Sequence, residues 1–343
     1  MEFIRVEDCC EILDSQRKPV TESERIPGMY PYYGANGIQG TINQYIFDDK
    51  LVLVAEDGGH FGSKIKPIAY LVNGKCWVNN HAHVLRAKKG FLAEYICYSL
   101  MFYKIEGYIN GATRQKLTQA ALRKLIIPKR TVEYQKAIVD RLELVKYIIE
   151  KKQNIINELD LLIKSRFVEM FGDIRERGRF KAKKWKDVLD IFNGKDYKAV
   201  QVDKGGYPVY GSGGIIARAN DYICPAGTII IGRKGSINNP ILVNEKFWNV
   251  DTAFGIVPKE IINISYLYYF CKHYNFNYLN KATTLPSLTK LDLLEIEINI
   301  PDLEEQVKFS GFVNQINKLK SDVQKSIDET QLLMDSLMQE YFD

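Results

Sequence analysis

Arg114, Gln115 and Lys116 stand side by side in a polar segment. Arginine and glutamine can each make paired hydrogen bonds to guanine or adenine edges, and lysine supplies a point charge for phosphate. A matching segment at 282–287 carries Thr283 and Ser287. Two further loops, 56–64 and 233–239, bring Lys64, Arg233, Lys234 and Asn238. Asn36 and Arg218 complete the candidate readers. Lys183 and Lys184 lie in residues 172–186, where seven residues are Arg or Lys and Phe180 and Trp185 are interleaved. That composition suits contact with a phosphate backbone. Any one of these residues fits an ordinary turn or solvated linker, so the set carries the argument.

Catalytic chemistry has no comparable constellation. There is no GxSxG, no HExxH and no Cys/His pairing in a recognisable setting. The Asn- or Asp-Pro-Pro-aromatic motif of amino-methylating enzymes is missing, as are a Gly-rich S-adenosylmethionine site and a helicase phosphate loop. His81-Ala82-His83 could place two imidazoles on one side of a strand, but no Cys or carboxylate cluster near it in sequence suggests a metal. Gly34-Ala35-Asn36-Gly37 and Gly211-Ser212-Gly213-Gly214 complete neither GK[ST] nor GxGxxG and read as hairpin turns.

The elements that must hold these loops occur twice. Tyr30-Pro31-Tyr32-Tyr33-Gly34 returns 177 positions on as Tyr207-Pro208-Val209-Tyr210-Gly211. Tyr45-Ile46 returns as Tyr222-Ile223, Asp57-Gly58 as Lys234-Gly235, Trp77 as Trp248, and Leu117-Thr118 as Leu288-Thr289. From the Trp pair onward the shift is 171, so a net six residues differ in the loops between. An internal duplication sets the architecture before other features are read. The matched loops keep their glycines but not their charged residues, which suits one backbone path carrying two specificities.

Each half begins with a mixed, Gly- and aromatic-rich part. Apolar runs Leu51-Val52-Leu53-Val54, Ile68-Ala69-Tyr70-Leu71-Val72, Leu125-Ile126-Ile127, Ile229-Ile230-Ile231 and Ile296-Glu297-Ile298-Asn299-Ile300 read as strands. Residues 91–103 and 265–273 read as short helices. After Pro128 and Pro301 the pattern changes. Ile138, Leu142, Val145, Ile149, Ile156, Leu159, Ile163 and Met170 fall on steps of three and four, with Lys152 and Arg166 in the gaps. Phe309, Val313, Ile316, Val323, Ile327, Met334, Leu337 and Tyr341 repeat this, with Lys320 and Thr330 in the seam. Two helices over 131–171 and 302–342 would each run about 60 Å. So narrow a stripe on so long a helix needs a partner helix, and matched registers favour these two pairing.

The 343 residues allow two domains, 46% apolar and 26% charged content is ordinary, and a net charge of +5 permits a polyanionic partner without proving one. No apolar run approaches a membrane span, the N-terminus has no signal-peptide layout, and six cysteines without CxxC spacing read as reduced thiols in a cytoplasmic chain.

Taken together, the YPYYG and YPVYG turns, the Trp185-Lys186-Asp187-Val188 opening, the Gln135 and Gln306 helix starts and the Phe167-Val168-Glu169-Met170-Phe171-Gly172-Asp173 helix end resemble the specificity subunit of type I restriction-modification systems. The resemblance covers essentially the whole chain. One departure is Phe3-Ile4-Arg5-Val6-Glu7-Asp8, which lacks the Trp and implies a different aromatic or aliphatic plug. The resemblance implies an α+β protein: two duplicated α/β target-recognition domains, 1–130 and 173–301, with twisted, mainly antiparallel sheets. They would be separated by long helices at 131–172 and 302–343, forming an antiparallel two-helix coiled coil with pseudo-twofold symmetry. It implies no catalysis, cofactor or metal in this chain. Each domain would read one half of a bipartite site in double-stranded DNA. The helices would set the spacing and dock two adenine methyltransferase subunits using S-adenosylmethionine. A restriction/translocase subunit using ATP and Mg could join. Two rivals are a non-enzymatic coiled-coil interaction protein with two ligand-binding modules and no DNA role, and an enzyme with unrecognised chemistry, such as a stand-alone nuclease.

Overall fold

The computed structural model describes residues 2–111, 115–174, 179–281 and 285–342. The chain divides into two compact units, residues 1–151 with 326–343, and residues 152–325.

In the first unit a six-stranded sheet forms from Cys10–Ile12, Ala82–Ala87, Phe47–Ala55, Ala69–Val78, Tyr30–Gly34 and Gly37–Ile42, in that spatial order. All its pairings are antiparallel except that of Tyr30–Gly34 with Ala69–Val78. The run Leu51-Val52-Leu53-Val54 is fully buried on both faces: Val52 and Val54 join a core with the helix Ala93–Met101, while Leu51 and Leu53 pack among Leu13, Phe47 and Val84. A strand covered on both faces reads as a continuous apolar run rather than an alternation.

The second unit repeats the plan but splits the sheet in two. Leu189–Asn193, Ala253–Pro258, Thr228–Gly232 and Ile241–Val243 form one, and Gln201–Val202, Gly214–Ala219, Tyr207–Gly211 and Trp248–Asn249 the other. The long strand Phe47–Ala55 is the reason for the difference. Its first residues correspond to Cys224-Pro225-Ala226-Gly227. Pro225 has no N–H for a ladder and Gly227 has φ +76°, so the strand starts late and its neighbour breaks.

The repeated dipeptides have structural work. Trp77 donates from Nε1 to the Lys18 carbonyl at 2.6 Å, and Trp248 to the Lys195 carbonyl at 3.0 Å. Tyr30 packs on Tyr45 with centroids 5.1 Å apart, Tyr207 on Tyr222 at 5.0 Å. Leu117 and Leu288 are buried, and the threonine after each caps a short helix: Thr118 accepts from Ala121 N and Thr289 from Asp292 N. Trp185 is fully buried with its backbone N–H donating to the Ile296 carbonyl; Val6, also fully buried, donates its backbone N–H to the Leu125 carbonyl in the same way. The plug that replaces tryptophan in the first half is therefore the aliphatic Val6.

The long helices are Val132–Phe171 and Leu303–Phe342, 40 residues each. Every seam position from Ile138 to Met170 and from Phe309 to Tyr341 is buried or half-buried, Lys152, Arg166, Lys320 and Thr330 included. In the first unit Arg141 donates to the Tyr341 hydroxyl at 3.0 Å. In the second, Lys320 meets Asp160 at 2.6 Å, Arg166 covers the Phe312 ring, and Phe167 and Phe171 pack on Phe309. Partner numbers fall as helix numbers rise, so the pairing there is antiparallel.

Candidate nucleic-acid interface

Three loops meet in each unit. The first is the hairpin tip Gly34-Ala35-Asn36-Gly37, closed by Gly34 opposite Gly37, with Gly211 opposite Gly214 in the second unit. Gly37 and Gly214 have φ +105° and +126°, which only glycine adopts without strain. The other loops are 56–64 and 110–117 in the first unit, and 233–239 and 281–288 in the second. Leu117 N–H donates to the Glu56 carbonyl at 2.7 Å, and Asp57 bridges Lys116. Leu288 N–H donates to the Arg233 carbonyl at 2.9 Å, and Lys234 bridges Ser287. Asn36 Nδ2 donates to the Gly58 carbonyl at 2.9 Å, and Tyr70 donates its hydroxyl to the Gly34 carbonyl, tying the first hairpin tip to its neighbours. In the second unit the Ser212 side chain lies against Gly232.

This crest gathers Asn36, Lys64, Gln115 and Lys116 in one unit, and Arg233, Lys234 and Ser287 in the other; all are exposed except half-buried Ser287. Arg114 and Thr283 lie outside the described residues. Asn238 is turned to structural use, accepting from Phe276 N at 2.7 Å and donating to Asn275. Arg218 sits on the strand Gly214–Ala219, four residues beyond the hairpin tip, opposite Pro208 and Val202, so it stands apart from the loops. Residues 181–184 form a strand paired with Glu297–Ile300, where the sequence suggested a linker. Lys184 and Lys186 both pair with Glu295, which raises Lys184 above its ordinary range and holds Glu295 below its own.

Sequence reading missed an ionic network beneath the first crest. His81 and His83 do not share a ligand. His81 Nδ1 meets Asp57 at 2.6 Å, whereas buried His83 meets Asp14 Oδ2 at 2.6 Å and the Leu117 carbonyl at 2.8 Å. Gln119 Nε2 and Val84 N also donate to Asp14. Arg17 donates to Glu56 at 2.6 Å, and Lys116 reaches its other oxygen at 2.9 Å. Burial pushes both carboxyls up, but bonds from His83 and Gln119 to Asp14, and from Arg17 and Lys116 to Glu56, outweigh it and hold both below the ordinary range. The sequence offered no carboxylate cluster at these histidines, whereas the fold brings one to His83: Asp14, 69 residues away, reaches it only through the fold. Ligand atoms of Asp14, Glu56 and His83 lie within 4.8 Å of one another, a spacing that would fit a metal, but Arg17 and Lys116 already neutralise Glu56. The network fastens the loop carrying Gln115 to the sheet. Its local signal was the acidic pair Glu56-Asp57 opening a Gly-rich loop.

Two loop-bearing modules, each continued into half of a helix pair, define a protein that binds through duplicated surfaces. The chain belongs to the family of type I restriction modification DNA specificity domains, matched over residues 1–161 and 178–330, and its role is DNA specificity in such a system. It is 25% identical, over 95% of its length and 90% of the relative's, to a putative type I restriction enzyme specificity subunit of Haemophilus influenzae. A putative type I specificity subunit of Mycoplasma pneumoniae is 28% identical over 41% of this chain and 49% of that protein. Among solved structures, the S subunit from M. genitalium matches with a TM-score of 0.59 and 16% identity, covering 100% of this chain and 96% of that one. A chain from a structure on complex assembly and conformational transition of a type I restriction-modification system matches with 0.63 and 17%, covering 99% and 97%. These two likenesses show the fold. Among the described residues no helix is long and apolar enough to cross a membrane, and the six cysteines are free and buried.

Proposed function

We propose that each crest reads one half of a bipartite site in double-stranded DNA, that the paired helices set the spacing, and that this chain is the non-catalytic partner of two adenine methyltransferase subunits. The observation that carries the reading is the repeated crest: the same backbone bonds, from Leu117 to Glu56 and from Leu288 to Arg233, hold loops whose side chains differ. One scaffold with two sets of side chains is what two different half-sites require. Two methyltransferases fit a second repetition. Leu161-Leu162 and Leu332-Leu333 occupy matching places on the two helices, off the seam, with Leu161 62% and Leu332 69% exposed. Methylation would use S-adenosylmethionine held by those partners, and an ATP- and Mg-dependent restriction subunit would join the same assembly.

Selecting targets from a random DNA library with the methyltransferase complex tests the reading. Gln115→Ala should relax one half-site by about 1–3 kcal/mol and leave the other intact. Lys183→Ala should weaken all sequences alike and reduce the salt dependence. If both changes altered the same base preference, the division into base readers and phosphate clamps would fail.

A further inference from the structure

Arg233 and Lys234 occupy in the second unit the places that Glu56 and Asp57 hold in the first. The backbone fixes the correspondence, since Leu288 donates to Arg233 as Leu117 donates to Glu56. Charge at the matched positions is inverted. In the first unit both carboxylates are engaged from within, Glu56 by Arg17 and Lys116 and Asp57 by His81. Among the described residues the second unit shows no counterpart to that network. Phe254 stands where His83 stands, each on the strand beside the matched apolar strand, opposite Ile231 and Val54 respectively. Among the described residues neither Arg233 nor Lys234 has a carboxylate partner; Arg233 reaches only the Asp251 carbonyl at 3.4 Å and lies 5.9 Å from the Phe254 ring centroid.

The backbone beneath this guanidinium is rigidly held. Arg233 N and Lys234 N both donate to the Thr252 carbonyl, at 2.8 and 3.3 Å, and Gly235 N donates to Pro286 at 3.0 Å. An exposed guanidinium without an acid, on a fixed backbone, presents a planar fork of donors. That fork matches the O6 and N7 acceptors of guanine in the major groove. Pre-organisation of the backbone limits the ordering cost of the contact.

We propose that Arg233 determines specificity by reading a guanine in the half-site bound by the second unit. The assignment rests on the crest being the DNA surface. The test uses the full-length chain in complex with its methyltransferase subunits and a random double-stranded DNA library, comparing wild type with Arg233→Lys and Arg233→Ala. Wild type should select a guanine at one position that both variants select at least tenfold less strongly, with every other position kept. Lysine retains the charge but not the fork, so its failure to restore guanine distinguishes base reading from charge. If Arg233→Lys keeps the wild-type target, or Arg233→Ala weakens all sequences equally with a shallower salt dependence, Arg233 is a phosphate clamp and the proposal falls. A wild-type complex with no base preference would overturn the DNA reading of the crest itself, and this would be seen before either variant was compared.

Discussion

Two buried glutamines show how much one side chain can hold. Gln135 accepts from Leu92 N at 2.9 Å and donates to the carbonyls of Gly90 and Arg130. Gln306 accepts from Asn263 N at 2.8 Å and donates to Ile261 and Pro301. Each therefore fastens the start of a long helix to the loop before a short one, at full burial. Truncation leaves several buried backbone groups unpaired, at about 1–3 kcal/mol each. Gln135→Ala and Gln306→Ala should each lower the urea midpoint clearly, whereas Gln→Glu would also place an unpaired charge there. The pair was legible in the sequence as a position, not as a role, because the three bonded groups come from separate segments. Asp14 and Glu56 give a residue-scale pH prediction. Both are held below the ordinary carboxylate range when folded. Their stabilisation is thus fully present above the unfolded values, about 3.9 and 4.3, and is lost as pH falls through the lower folded values. Hydrogen exchange below pH 4 should show the first unit opening before the second, and Glu56→Gln should flatten that pH dependence. A second unit that opens first would contradict it.

At the scale of elements, periodicity carried the reading where a single partner decides burial. The seam positions are buried or half-buried along both helices because one stripe faces one neighbour, and polar interruptions find partners. Lys320 reaches Asp160, and Thr330 donates to the Ser326 carbonyl within its own helix. The sheets were less legible. Ala69–Val78 runs six residues past the apolar stretch that announced it, through Asn73-Gly74-Lys75, because ladder bonds to Phe47–Ala55 continue where side chains give no pattern. Residues 181–184 looked like a basic linker because an edge ribbon tolerates alternating lysines, and only the pairing with Glu297–Ile300 reveals the strand. The seam supports a graded expectation. Ile163 is fully buried, so Ile163→Ala should cost about 2–5 kcal/mol in urea unfolding. Lys320→Ala removes a partly exposed ion pair and should cost less than about 1 kcal/mol. Equal losses would mean that the polar seam positions are as tightly packed as the apolar ones.

At the scale of the molecule, duplication was the most legible property and side-chain readout the least. Matching glycines, tryptophans and Leu-Thr pairs mark backbone constraints that both halves share, and backbone constraints leave spaced signatures. Among the described residues the network of Asp14, Arg17, Glu56 and His83 occurs in the first half alone, so comparing the halves could not find it. The long helices lead to the last prediction. Each passes without a break from one compact unit to the other, since the unit boundaries fall at residues 151 and 325, inside Val132–Phe171 and Leu303–Phe342. A heptad preserves the seam, because seven residues return the apolar stripe to the same face. Matched seven-residue insertions near those boundaries in both helices should therefore keep both cores and the pairing. Each adds about 10 Å of helix at 1.5 Å per residue. If the helices act as a spacer, the preferred gap between half-sites should lengthen by about three base pairs at 3.4 Å each, with both half-site sequences unchanged. Matched deletions should shorten it equally, and a four-residue insertion should disrupt the seam and weaken binding outright. Selection of targets from a random library decides between the outcomes. A gap that stays constant while the half-sites persist would mean that the helices dock the methyltransferases without measuring the DNA.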